Sequence, residues 1–158
     1  MNHTLWVVFA DVPPHYRLRS RPFGRRKLAL VLHRLTLCGS PMHCAATLNG
    51  VVLDPQINGD RFWPSDAYIL RYPGLTEAFR VPAPFSVNLD AVADLRPKRI
   101  IPSFLRRLTF GLWPAPRDCV QTVRRVLSRA GVPTPNMTTP RQLRDWLAAQ
   151  GFHRESMV

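Results

Sequence analysis

The first apolar run of the chain, Leu5-Trp-Val-Val-Phe-Ala10, is β-branched and aromatic and stops at Asp11-Val-Pro-Pro14. It predicts a strand ended by residues that cannot continue one. Cationic positions then take over: residues 15–27 carry six cations and no acid, interrupted by Pro22 and Gly24, and are expected to form a basic loop. Leu28–Cys38 is apolar without a clear period and is expected as a further strand. Beyond the Gly39-Ser40-Pro41 turn, Met42–Leu48 and Val51–Leu53 flank Asn49-Gly50. An Asn-Gly pair between two apolar runs predicts a hairpin, because both residues tolerate the positive φ of a type I′ turn. Counting back from that turn sets His43 and Asp54 on opposite arms, close to cross-strand partners, so that their side chains can face each other.

Residues 54–59 are expected to turn, and Ala67–Tyr72 and Phe79–Val81 to form short strands on either side of Pro73-Gly74. Residues 82–117 are punctuated by Pro, with a helix expected over Ser86–Leu95 and Ser86 as its cap. Two closing helices carry clearer signals. From Asp118 onward, Cys119, Val123, Val126, Leu127 and Ala130 form one apolar stripe at helical spacing. Arg124, Arg125, Ser128 and Arg129 fall opposite, and Gly131 ends the element. The second helix opens on Thr139-Pro140-Arg141-Gln142, a capping box with Pro at the first helical position. It turns Leu143, Trp146 and Leu147 inward and stops at Gly151.

The length, 158 residues with 46% apolar, suits one domain over residues 1–158, with enough core to hold without staples. Charge changes the picture more. Lys and Arg number 22 against 10 acids, a net +12, and 20 of the 22 cations are Arg. Such a field favours anionic partners, and the planar guanidinium suits phosphates. Arg17, Arg19, Arg21, Arg25, Arg26 and Lys27, with Arg106 and Arg107 in the second basic zone, are candidates for a non-specific nucleic-acid contact. The ordinary alternative is a solvated basic surface. Three cysteines, Cys38, Cys44 and Cys119, are an odd set that argues against a disulfide scaffold and for a reducing compartment. No secretory signal is visible, and Leu28–Leu37, broken by His33 and Arg34, is far short of the roughly 18 residues of a membrane span. The chain is expected to be soluble, with no membrane span.

Candidate chemistry centres on Cys119. A thiol opening a helix meets free N–H groups and the positive end of the helix dipole, which favour the thiolate. A thiolate nucleophile needs a His in reach and a third group to orient that His. His43 supplies the first, and Asp54 is the natural orienter, with Gln56 or Asn58 in its place if Asp54 points away. The ordinary alternative makes Cys119 a small core residue. A zinc site from His33, Cys38, His43 and Cys44 is disfavoured, since the Cys38–Cys44 step is longer than usual. Adjacent strand residues such as His43 and Cys44 also point to opposite faces. No phosphate-binding loop, dinucleotide fingerprint or His-Glu-x-x-His helix occurs, so no cofactor and no metal is expected.

The order of these parts resembles the circularly permuted papain-like cysteine hydrolases of the NlpC type, in the short versions encoded by tailed bacteriophages. The resemblance rests on Leu5–Phe9, Pro41-Met42-His43, Val51-Val52-Leu53-Asp54-Pro55, the Asp118–Leu127 stretch and Thr139-Pro140-Arg141-Gln142-Leu143, about a third of the chain. It implies an α+β fold with a small antiparallel sheet packed against the Cys-bearing helix and a C-terminal helix. It implies Cys119 as nucleophile, His43 as base and Asp54 as the third polar residue of an amide hydrolase acting on a cell-wall peptide or a protein. Synthesis in the host cytoplasm, and a place in the virion, follow from the same resemblance. Two features depart from the family pattern: Cys44-Ala45-Ala46 stands where bulkier β-branched residues are usual, and Leu28–Cys38 is an extra piece. The rival expectation is a non-catalytic virion component with the same fold, whose Arg-rich surfaces contact DNA or neighbouring subunits.

Overall fold

In the computed structural model the described residues are 3–11, 42–56, 59–71, 75–96 and 119–156. Strand β1 (His3–Asp11) explains why the first apolar run shows no alternation. Leu5, Val7 and Phe9 are buried on one side of it and Val8 and Ala10 on the other, and a strand covered on both faces reads as a continuous run. It lies between β2 (Met42–Leu48) and β5 (Leu75–Ala83). Among the described residues the sheet has six antiparallel strands in the order β4-β3-β2-β1-β5-β6. Its remaining members are β3 (Val51–Asp54), β4 (Arg61–Pro64) and β6 (His153–Ser156). The β2–β3 hairpin turns through Asn49 at φ 52° and Gly50 at φ 77°, the two positive φ values of a type I′ turn.

Helix α1 (Ser65–Arg71) follows β4, and α2 (Cys119–Arg129) and α3 (Pro140–Ala149) pack together on one face of the sheet. Val120, Val123, Val126 and Leu127 of α2, with Leu143 and Leu147 of α3, bury against Leu5, Val7, Phe9, Ala46, Phe79 and Val81. Phe9 and Phe79 meet edge to face with ring centroids 5.9 Å apart, an aromatic contact made diagonally across the β1–β5 ladder. α2 ends in a Schellman motif: Gly131 at φ 84° lets its N–H reach Ser128 and the Val132 N–H reach the Leu127 carbonyl. α3 starts with the capping box expected of it, Thr139 and Gln142 each accepting from the other's backbone. The buried Glu77 of β5 binds Arg154 of β6 at 2.6 Å and Arg144 of α3 at 3.6 Å, joining the last two elements to the sheet.

The α+β class and the antiparallel sheet follow the expectation; several local readings do not. Residues 67–71 of the expected Ala67–Tyr72 strand belong to α1. Their apolar run misleads because only Tyr68 is buried, while Ile69 and Leu70 face solvent, and Asp66 in the first turn favours a helix start. Ser86–Leu95 is no helix but carries a single turn, with the Val92 and Ala93 N–H groups on the Leu89 carbonyl. Asn88 and Asp94 side chains take the N–H groups of Asp90 and Arg96, local bonds that compete with a helix. Strands β4 and β6 escape sequence reading because both are four-residue edges of the sheet; β4 is Arg61-Phe62-Trp63-Pro64, too short to show a period, and β6 is polar and exposed throughout. The Leu28–Cys38 strand, Arg17, Arg19, Arg21, Arg25, Arg26, Lys27, Arg106 and Arg107 lie outside the described residues.

The turn after β3 is clamped to the 84–96 segment. Asp60 and Asp94 exchange two bonds of 2.8 Å, and Gly59, at φ 107°, lies so close to Leu95 that a Cβ would overlap the Leu95 carbonyl. Gly59→Ala is therefore expected to lower stability by about 2–4 kcal/mol. Gly50→Ala, at φ 77° with nothing within 4 Å of an added Cβ, should cost only about 1–2 kcal/mol. Urea midpoints of the two variants check the difference.

Candidate active site

Three elements deliver the site. β2 brings His43 as its second residue, β3 ends on Asp54, and α2 opens on Cys119. Register in the hairpin pairs Leu48 with Val51 and Ala46 with Leu53. Continued outward, it sets His43 diagonally across from Asp54 on one face of the hairpin. The side chains meet there: His43 Nε2 lies 2.7 Å from Asp54 Oδ1. The second carboxylate oxygen accepts a 2.6 Å hydrogen bond from Gln56 Nε2. Both members of the pair are removed from water, with His43 3% and Asp54 0% exposed. A carboxylate so buried is tolerable only because both oxygens have donors. Gln56 thus acts beside Asp54 rather than in its place, and Asn58 lies outside the described residues.

Cys119, half-buried, is a hydrogen-bond partner of His43. Nε2 is committed to Asp54, and Nδ1 is buried. Burial alone would depress the imidazole, but hydrogen bonds to Asp54 and Cys119, reinforced by their charges, raise it from 6.5 to about 9. The Cys119 thiol is held well below its ordinary range. Its largest influence is a hydrogen bond from the Cys44 thiol; burial opposes this, and the hydrogen bond and charge of His43 and the Cys44 backbone N–H add to it. These shifts describe a thiolate–imidazolium pair near neutral pH.

Sequence reasoning brought together Cys119, His43 and Asp54 and missed Cys44. Alternation along a strand assigns Cys44 to the face opposite His43, yet both bond to the same sulfur. The β2–β3 ladder begins only at Ala46, while His43 and Cys44 stay paired with Ala10 and Phe9 of β1. A Cys directly after the candidate base was the available signal. Of the four residues weighed for zinc, His43 and Cys44 are engaged in this network, and His33 and Cys38 lie outside the described residues. Among the described residues no three or more His, Cys, Asp or Glu side chains form a group that could hold a metal ion. A cavity of about 410 Å³ sits on the other face of the sheet, between Trp6, Val52, Tyr68 and Leu75; neither Cys119, His43 nor Asp54 lines it.

The pair exists between the lowered pKa of Cys119 and the value of about 9 for His43. Cys119 alkylation by iodoacetamide is expected to be fast already at about pH 6, and His43→Ala should move its inflection up toward the ordinary thiol value of about 8.5. Because His43 is raised above 6.5, its protonated form stabilises the fold fully below pH 6.5, and that contribution fades as pH rises through about 9. Thermal midpoints of wild type and His43→Ala across that window read the effect. Gln56→Ala, which loosens Asp54 and so the imidazole, is expected to slow Cys119 acylation by about 10- to 100-fold with little change in the fold, measured by stopped-flow and circular dichroism. Comparison with family models, with curated proteins and with solved structures finds no match to this chain.

Proposed function

We propose that this chain is a thiol hydrolase of the permuted papain-like type, cleaving an amide bond through Cys119, His43 and Asp54. The observation that carries the reading is the buried His43–Asp54 bond of 2.7 Å, on an imidazole whose pKa is raised in part by Cys119 at the start of α2. The order of parts also supports it: a His-bearing hairpin precedes the Cys-bearing helix, and that helix packs on an antiparallel sheet. In the proposed reaction the Cys119 thiolate attacks the carbonyl carbon of the scissile amide. The carbonyl oxygen gains the negative charge, and the Cys119 backbone N–H, in the first turn of α2 and outside its ladder, is placed to stabilise it. His43 gives its Nδ1 proton to the leaving amine, and the acyl group stays on sulfur. Neutral His43 then takes a proton from water, which displaces the acyl group and restores the thiolate. Asp54 fixes the tautomer throughout, with Gln56 holding its far oxygen.

The substrate class in this reading is a peptide link of the bacterial cell wall or of a protein, with a bacteriophage origin and a virion location belonging to the same proposal. Among the described residues no helix is long and apolar enough to cross a membrane. A small activated ester tests the chemistry without knowledge of the substrate. p-Nitrophenyl acetate is expected to give a burst of nitrophenol with one acetyl group on Cys119. The burst should vanish in Cys119→Ala and slow by about 10²–10⁴-fold in His43→Ala. Release of new amino groups from cell-wall peptides or from unfolded protein then separates the two substrate classes. Acylation of Cys119 no faster than that of free cysteine would leave the non-catalytic virion component as the better reading.

A further inference from the structure

Catalysis as proposed leaves the cavity on the other face of the sheet without a task. Strand alternation builds its floor. Trp6 and Val8 of β1 point the same way, and register sets Thr47 of β2 opposite Trp6, Val52 of β3 opposite Thr47, and Ala78 of β5 opposite Val8. Helix α1 supplies a wall with Ser65, Tyr68 and Ile69, spaced three and four apart and so on one side of the helix. The space of about 410 Å³ falls in the range of roughly 300–1,000 Å³ usual for small-ligand sites. Its lining is mixed. Val8, Val52 and Ala78 are buried and apolar, and the half-buried Trp6 offers the flat face of an indole. Beside them stand neutral polar groups: the Thr47 and Ser65 hydroxyls, 3.4 Å apart, and the Asn49 amide at the turn. One long bond between two hydroxyls uses one O–H and one lone pair, which leaves a donor and further acceptors for a ligand. Among the described lining residues there is no cation, and Glu155 of β6 is the sole acid. Arg80, opposite Trp6 on β5, does not line the space. An anion finds no countercharge in such a site, and a wholly apolar ligand would bury its hydroxyls without partners. The lining suits a neutral ring with apolar C–H faces and a rim of hydroxyl groups.

We propose that this cavity binds a neutral sugar, an N-acetylhexosamine, with one face of its ring on the Trp6 indole. The negative face of the indole attracts the slightly positive C–H groups of a sugar ring. Ring hydroxyls exchange hydrogen bonds with Thr47, Ser65 and Asn49, and the half-exposed Glu155 accepts from a hydroxyl at the rim. The acetyl methyl enters the apolar floor at Val8 and Ala78, which a sugar bearing hydroxyls alone would leave uncovered. None of Cys119, His43 and Asp54 lines the cavity, so the inference stands without the hydrolase reading. Taken with that reading, it favours a sugar-bearing cell-wall peptide over a protein as the substrate class.

The experiment titrates the full chain with N-acetylglucosamine and follows amide and indole N–H resonances. The expected result is saturable shifts at Trp6, Thr47 and Ser65. Glucose, which lacks the acetyl methyl, should bind about 3- to 10-fold more weakly, and glucuronate, an anion with no cation to meet it, weaker still. Trp6→Ala is expected to weaken binding at least about 10-fold. Thr47→Val, which keeps the shape of the side chain and removes its hydroxyl, should weaken it about 3- to 10-fold and keeps the test open if the first variant does not fold. Absence of saturable shifts up to the solubility of the sugar overturns the proposal. Binding of cyclohexanol or benzyl alcohol as tight as that of the sugar overturns it too, since the site is then an apolar one, as do shifts that centre on α2 and survive Trp6→Ala. In each of those cases fast iodoacetamide labelling of Cys119 at about pH 6 leaves the hydrolase reading standing. Slow labelling at every pH, with the sugar bound, overturns the hydrolase reading alone.

Discussion

Asp54 is the buried charge around which the site is arranged. A carboxylate with no exposure would cost several kcal/mol without compensation. It is compensated on both oxygens, by His43 on one and Gln56 on the other. Each donor is placed by the same short stretch of chain. The Asn49-Gly50 turn sets the register that brings His43 back beside Asp54, and Gln56 follows Asp54 by two residues in the turn that leaves β3. A slip of one residue in that hairpin would move His43 to the other face of the sheet. The positive φ of Asn49 and Gly50 is thus a condition for the chemistry some distance away, at the opposite end of the hairpin.

Stability alone gives little reason for this arrangement. Replacing a buried ion pair by apolar residues of similar volume is often neutral or stabilising, and a core of Leu, Val and Phe already joins α2 and α3 to the sheet. The pair does make the end of β2 strongly polar where α2 arrives, and Cys119 is the residue that meets it. The Cys119 thiol is held below its ordinary range by the Cys44 thiol, by the imidazole and by the Cys44 backbone N–H. Those donors favour the anion over the thiol. The helix that carries Cys119 is meanwhile held by its apolar stripe and its Schellman end, so the position of the sulfur is inherited from the packing of Val120, Val123 and Leu127 on β1 and β2.

What could be read from the chain beforehand was whatever has a local physical cause. The hairpin is encoded in two turn residues, α3 in a capping box, and the C-terminus of α2 in Gly131; each is a short-range rule that the fold then satisfies. His43 and Asp54 were legible as partners because strand period and turn length together place them. Cys119 was legible as the start of a helix, but its meeting with His43 is a tertiary contact that no local pattern contains. The misreadings share one cause. Ala67–Leu70 looks like a strand because it is apolar, and apolar character does not say that only Tyr68 will be covered. Ser86–Leu95 looks helical until Asp60, 34 residues before Asp94 in the chain, supplies the partner that makes it a clamp. β4 and β6 have no pattern to read: Arg61-Phe62-Trp63-Pro64 is too short to show alternation, and His153–Ser156 is polar on both faces.

Cys44 shows how a rule of alternation can fail where a ladder ends. Along a paired strand, residue parity decides which layer a side chain joins, and Ala45 and Ala46 obey it, one in each of the two apolar clusters. Where β2 runs past its pairing with β3 it remains paired with β1 through Phe9 and Ala10, and both His43 and Cys44 lower the pKa of the first residue of α2. β3 pairs with β2 only as far as Leu53, while Asp54 stays paired with Arg61 of β4, so the carboxylate is held by the sheet on one side and meets His43 and Gln56 on the other.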